Sequence, residues 1–286
     1  MRTAIVGGLI TALALVLLVS PAAGRQNPSV AAAQVALRSH GLYSGSIDGV
    51  NGSDTIAALR RFQRRSGLKP TGVLDRRTRE ALGVLGKPLV GTRTIGLGSR
   101  GWDVSVLEFE LARHGFAPGK IDGRFDRLTL GAAERFRSFS GLPYHCLVAP
   151  STLKAVQRAK PPRAAVQLER PVRGRVVQKF GIRGDQLHAG IAIDAPYGQG
   201  VAAAADGRVV WADEVPGLGL VVRIAHRGGV QSVYGHLSRI DVKVAQEVVR
   251  GAWLGLVGRT GNAAKPRLYF ELRVRGAAVD PLPALR

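Results

Sequence analysis

The sequence predicts a multidomain protein with segregated α and β structure: two small three-helix bundles followed by an antiparallel β domain. Three observations predict it. A block of residues with helical spacing recurs 74 positions later, a Pro- and charge-rich stretch follows near residue 160, and short Val-, Ile- and Tyr-rich runs then alternate with glycine turns. The 286 residues leave room for two or three domains, each with its own core.

The chain opens with Arg2, an apolar run from Ala4 to Val19, and the small residues Ser20 and Ala22. This is the pattern of an export signal over residues 1–24, cleaved after Ala22, or of an anchor retained through residues 4–19. The protein is therefore expected outside the cytoplasm, secreted or in the wall or periplasm. Lys and Arg number 41 against 20 Asp and Glu, a net charge of +21 that favours polyanionic surroundings. Export removes nucleic acid from the expected partners and leaves anionic wall polymer or lipid headgroups. Cys146 is the only cysteine, which excludes an intramolecular disulfide and predicts a buried thiol.

Shifting the chain by 74 residues lays "HGLYSGSIDG" (His40 to Gly49) on "HGFAPGKIDG" (His114 to Gly123), Thr55 on Thr129, Ala58 on Ala132 and Phe62 on Phe136. In the first copy Val30, Ala33, Gln34 and Leu37 follow a helical stripe, as do Thr55, Ala58, Leu59 and Phe62. Asp75 is placed to cap a short third helix, and Gly41, Gly49 and Gly67 mark the breaks. The copies are assigned to residues 28–86 and 98–158.

These residues resemble the peptidoglycan-binding domain of wall hydrolases, with its "G-x-I-D-G" loop and "T-x-x-A-x-x-x-F-Q" helix. The first copy follows the pattern through "FQRRSGLKPTGVLD". The second departs from it, with Asp126 in place of Gly52 and Arg137 in place of Gln63. The resemblance implies binding of peptidoglycan. Asp48 and Asp122 are candidates either for ligand contact or for stabilising their own turns.

Residues 159–174 read as a linker, and residues 175–286 as the β domain. There "HAGIAID", "SVYGHLS" and "RLYFEL" follow one another in an order that resembles the LytM or lysostaphin-type zinc endopeptidases. The resemblance implies a zinc ion held by His, Asp and His, with two further histidines near the cleaved bond. Carried over residue by residue, the first ligand is His188 and the catalytic histidine of the Y-x-H strand is His236. The aspartate position is Ala192, and the two histidines of H-L-H are Arg267 and Tyr269. One ligand remains where three are needed, so no metal or other cofactor is expected. Asp194 lies roughly 6.6 Å along the strand from the ligand position, too far for an easy substitution.

Strand alternation turns Leu268 and Phe270 to the core and Arg267, Tyr269 and Glu271 to the site face. His188, His236, Arg267 and Tyr269 then form a groove suited to a peptide carboxylate, while His226 falls at a structural position. Three readings follow. The first is an inactive LytM-type domain on a peptidoglycan-binding protein that positions or activates a separate wall hydrolase. The second is a zinc endopeptidase ligated unusually through His188, Asp194, His236 or Tyr269. The third is a structural protein held to anionic wall polymer by charge.

Overall fold

The computed structural model describes residues 26–164 and 166–286, so the export segment predicted for residues 1–24 lies outside the described residues. Helices occupy the first half: α1 (Pro28–Ser39), α2 (Ser53–Arg65), α3 (Arg76–Ala81), α4 (Trp102–Arg113), α5 (Arg127–Ser140) and α6 (Pro150–Arg158). None of the described helices is long and apolar enough to cross a membrane. Asp75 caps α3 through its bond to Thr78 N (2.7 Å), as its spacing predicts. Asp126 does the same for α5, bonding Thr129 N at 2.9 Å, whereas Gly52 caps α2 with no side chain. The departure from the family pattern at Asp126 therefore strengthens a helix start.

The repeat extends to the buried polar bonds. Gln63 donates to Thr71 Oγ1, the Val73 carbonyl and Thr78 Oγ1, and Arg137 donates to the carbonyls of His145 and Leu147 and to Thr152 Oγ1. Each acceptor in the second set lies 74 residues beyond its counterpart. Arg137 thus takes over the structural work of Gln63. Likewise Gln34 accepts from Gly49 N, and Glu108 accepts from Gly123 N.

The cores of the two copies meet on one helix. One face of α4 puts Trp102, Val106 and Phe109 into the core of the first copy, and another puts Val104, Leu107 and Leu111 into that of the second. A helix apolar on two faces must be covered on both, and α4 is buried from Trp102 to Ala112. Cys146 is exposed, contrary to the buried thiol expected, because it lies on a surface turn beside Tyr144.

The second half contains β1 (Arg175–Gln178), β2 (Gly181–Arg183), β3 (Gln186–His188), β4 (Ile191–Asp194), β5 (Gly200–Ala202), β6 (Gly207–Val215), β7 (Gly219–Ala225), β8 (Val230–Ile240), β9 (Glu247–Val248), β10 (Trp253–Val257), β11 (Arg267–Val274) and β12 (Ala277–Val279). The main sheet runs β1-β4-β11-β8-β7-β6-β9, with β12 on β11, β10 joining β8 to β5, and every pairing antiparallel. Leu268, Phe270 and Leu272 of β11 are fully buried, each worth about 1.5–3 kcal/mol of apolar burial. The β domain begins earlier than residue 175. Leu168 is buried in its core and bonds Ala284 O, and Pro171 O accepts from Ala202 N. Backbone ladders and an apolar anchor have tied down the end of the stretch expected to be a linker.

The β2–β3 hairpin leaves the sheet and docks on the helices. Ile47 N donates to Gly184 O and Ile121 N to Asp185 O, both at 2.7 Å, so the Ile-Asp-Gly loops of the two copies grip successive carbonyls of one turn. Arg38 adds an ion pair to Asp185 at 3.6 Å, and Ile182 and Leu187 pack against the first helical core. Nearby, Gly115 O accepts from Ala278 N, and a Cβ on Gly115 would meet Ala278 O at 1.9 Å. Only glycine allows that approach at φ +83.

Candidate functional site

His188 stands at the end of the docked hairpin, so the helical half helps to place it. Its Nδ1–H donates to Lys179 O at 3.0 Å, which leaves Nε2 as the free acceptor of the neutral ring. His236 lies on β8 just past Gly235, the last residue of that segment paired with Tyr269. The backbone turns there to φ +63, uncommon for a non-glycine residue, and Nδ1–H donates to Thr260 O at 2.8 Å. Burial lowers the pKa of both rings. For His236 the Arg267 guanidinium and the His188 ring add to the effect, and for His188 the Arg183 charge does.

Tyr269 stands between them, with ring centroids 5.7 Å from His188 and 6.0 Å from His236. Register places Ala192 beside it on β4 and Gly235 beside it on β8. A groove of about 360 Å³ is lined by these side chains together with Gln178, Leu218, Asn262 and Arg267. Arg267 makes no ion pair among the described residues, so the groove carries an uncompensated positive charge. A carboxylate or other oxyanion is the group such a cation attracts.

The site face of β11 is largely covered. Tyr269 is 7% exposed and Glu271 2%, although alternation does place both on the site face. Tyr269 Oη donates to Glu271 Oε2 at 2.9 Å, and Arg273 Nε donates to Glu271 Oε1 at 2.6 Å. Burial first, and the Glu271 charge second, push the Tyr269 hydroxyl far above the ordinary phenol range. It is neither a free donor for a groove ligand nor a metal-binding phenolate.

The residues present do not fit a zinc ion. Ala192 offers no donor, Arg267 is a cation, and the Tyr269 oxygen is committed to Glu271. Among the described residues no group of three or more His, Cys, Asp or Glu is placed to hold a metal. Asp194 is exposed, in register with Arg267. His226 bonds Asp206 O through Nδ1 and lies 2.7 Å from Ser232 Oγ, outside the groove.

Asp48 and Asp122 are engaged in their own loops. Asp48 Oδ1 accepts from Gln34 Nε2 and Val50 N, and Asp122 Oδ1 accepts from Arg124 N. These are the turn-stabilising bonds named as one of their two roles. Sequence reasoning did not single out Gln178, Asn262 or the Glu271–Arg273 pair. Period-two spacing from Tyr269 was the available signal for the last two.

Residues 186–281 match the model described as Peptidase family M23, and residues 26–82 match the model described as "Putative peptidoglycan binding domain". The chain thus joins a helical unit of peptidoglycan-binding type to an antiparallel domain of M23 type. It is 42% identical over 117 residues to the murein hydrolase activator EnvC of Escherichia coli, a match spanning 40% of this chain and 28% of that protein. It is 41% identical over 98 residues to the DD-carboxypeptidase/endopeptidase Mpg of Neisseria meningitidis, spanning 34% of this chain and 22% of that protein. The match therefore spans less than a third of either relative. Among solved structures, lysostaphin from Staphylococcus simulans aligns at 31% identity over 34% of this chain and 42% of that one, with a TM-score of 0.33.

Proposed function

We propose that this is an extracytoplasmic peptidoglycan-binding protein whose M23-type domain does not cleave peptide bonds and instead positions or activates a wall hydrolase. The observation that carries this reading is the replacement of two zinc donors by Ala192 and by a Tyr269 already bonded to Glu271, with Arg267 in place of a further site histidine. Without a metal the groove has no Lewis acid to acidify a water or polarise the scissile carbonyl, and His188 and His236 alone do not assemble a metal centre. The similarity to a murein hydrolase activator supports the regulatory half of the proposal, and the match to a peptidoglycan-binding model supports the wall-binding half.

In this reading the helical half attaches to the wall, and the groove receives an anionic group of the peptide or of the hydrolase, drawn by Arg267. The net charge of +21 strengthens retention in an anionic wall without choosing the ligand. The similarity to an endopeptidase favours the second reading, cleavage with unusual ligation. The test is to incubate residues 25–286 with isolated peptidoglycan and zinc, and to look by mass spectrometry for newly freed stem-peptide amines. Sedimentation with the wall and no new amines is expected. New amines abolished by a chelator would overturn the proposal.

A further inference from the structure

A second cationic cavity lies away from the groove, where the second helical copy meets the sheet. It has a volume of about 280 Å³ and is walled by Arg135 of α5, by Glu271 and Arg273 of β11, and by the small residues Gly115, Ala189 and Gly276. Arg135 Nη2 donates to Ala117 O at 2.9 Å, which fixes the guanidinium at the cavity. Glu271, 2% exposed, is the one carboxylate in the lining, and Arg273 and Tyr269 already bond both of its oxygens. Two guanidinium groups therefore face one carboxylate, and Arg135 makes no ion pair among the described residues. One positive charge is left over in a small concave space. Two strands away Arg223 lies over the Trp211 ring at 5.3 Å, its buried Nε without a partner, and it adds to the positive field.

We infer that this cavity is a binding site for a single carboxylate group, such as the free C-terminus of a short peptide, held between Arg135 and Arg273. A guanidinium offers two parallel donors to the two oxygens of a carboxylate, and a monoanion matches the one uncompensated charge. The glycine and alanine walls let the ligand backbone approach closely. Partial burial and the nearby Arg273 lower the Arg135 pKa, and the Glu134 charge only partly offsets them. Because Glu271 holds Arg273 on one side and Tyr269 on the other, a carboxylate competing for Arg273 would also be sensed in the groove. The site does not depend on whether the groove is catalytic.

The experiment follows the arginine Nε–Hε signals of residues 25–286 by NMR during titration with N-acetyl-alanyl-alanine, its C-terminal amide, and inorganic phosphate. Saturable shifts at Arg135 and Arg273 are expected with the free acid and not with the amide. Arg135→Gln, with its fold checked by circular dichroism, is expected to weaken binding at least about tenfold, the loss of one charge-assisted pair. Equal binding of the amide, phosphate binding without carboxylate binding, shifts confined to Arg267, or unchanged affinity in Arg135→Gln would each overturn the assignment.

Discussion

Tyr269 Oη donates to Glu271 Oε2 at 2.9 Å, and the bond runs along one face of β11 at a place where both side chains are buried. Glu271 is thereby satisfied from both ends, by the phenol and by Arg273. Removing the hydroxyl leaves a buried carboxylate oxygen without its donor. Tyr269→Phe should cost about 1–3 kcal/mol of stability, read as a lower urea midpoint at unchanged slope. Glu271→Gln should cost more, because an amide has one acceptor for two donors and leaves Arg273 without its counter-charge.

Rebuilding the metal site tests why it is absent. Ala192→Asp, Arg267→His and Tyr269→His together should give a protein that retains zinc through gel filtration, measured by plasma mass spectrometry, while the parent does not. Each single change should fail. One new donor beside an arginine still falls short of the three protein ligands a catalytic zinc needs.

Lowered histidine pKa values have a sign in the pH dependence of stability. His188, His226 and His236 are all held below the ordinary value of 6.5, burial being the main cause. As pH falls below about 6.5 the unfolded chain takes up protons that the folded rings refuse, so stability drops until the lowered values are passed. Above 6.5 this contribution is fully present. Urea midpoints between about pH 5 and 7.5 should fall on the acid side, and His226→Gln should reduce the slope.

Much of this architecture was legible in the sequence because it rests on spacing. The stripes of Val30 to Leu37 and of Thr55 to Phe62, the Asp75 cap and the alternation along β11 are local, and local periodicity survives folding. The sharing of α4 between two cores was hidden, since one helix cannot show from its own pattern which neighbours will cover its two faces. The docking of the hairpin was hidden for the same reason: Ile47 and Gly184 are 137 positions apart, and the bond joins backbone atoms that any sequence would carry. At the site, residue identity revealed the missing donors, but only contact geometry revealed that Tyr269 is spent on Glu271.

Glu108 contributes to pH dependence with the opposite sign. It occupies the place of Gln34 in the repeat, buried against Asp122 N and Gly123 N, and desolvation raises its pKa well above the carboxylate range, with the Asp122 charge adding to the effect. The folded state holds its proton more tightly than the unfolded chain does. Its contribution is therefore complete below about pH 4.5 and is lost as pH rises through the raised value. Glu108→Gln should restore the uncharged donor and acceptor of the first copy and stabilise the protein at pH 7 by about 1 kcal/mol. Thermal unfolding at pH 7 and pH 4.5 should show the gain only at the higher pH.

The docked hairpin makes a prediction about motion. Ile47 and Ile121 lie in loops, yet their amides are bonded to Gly184 O and Asp185 O, so both should exchange with deuterium as slowly as helix amides. Gly184 has φ +59, and a Cβ added there would meet nothing within 4 Å, so a substitution strains the turn without a steric clash. Gly184→Val should cost roughly 1–2 kcal/mol at the turn. The loosened hairpin should then release both amides together while those of α1 stay protected, because the same two carbonyls serve both repeats. His188 closes that hairpin, so the Nε2 it presents to the groove should lose its fixed place as well, visible as broadening of its ring signals. If the two amides stay slow in Gly184→Val, the loops hold the hairpin without help from its turn geometry, and the position of His188 is set by β4 and the sheet alone.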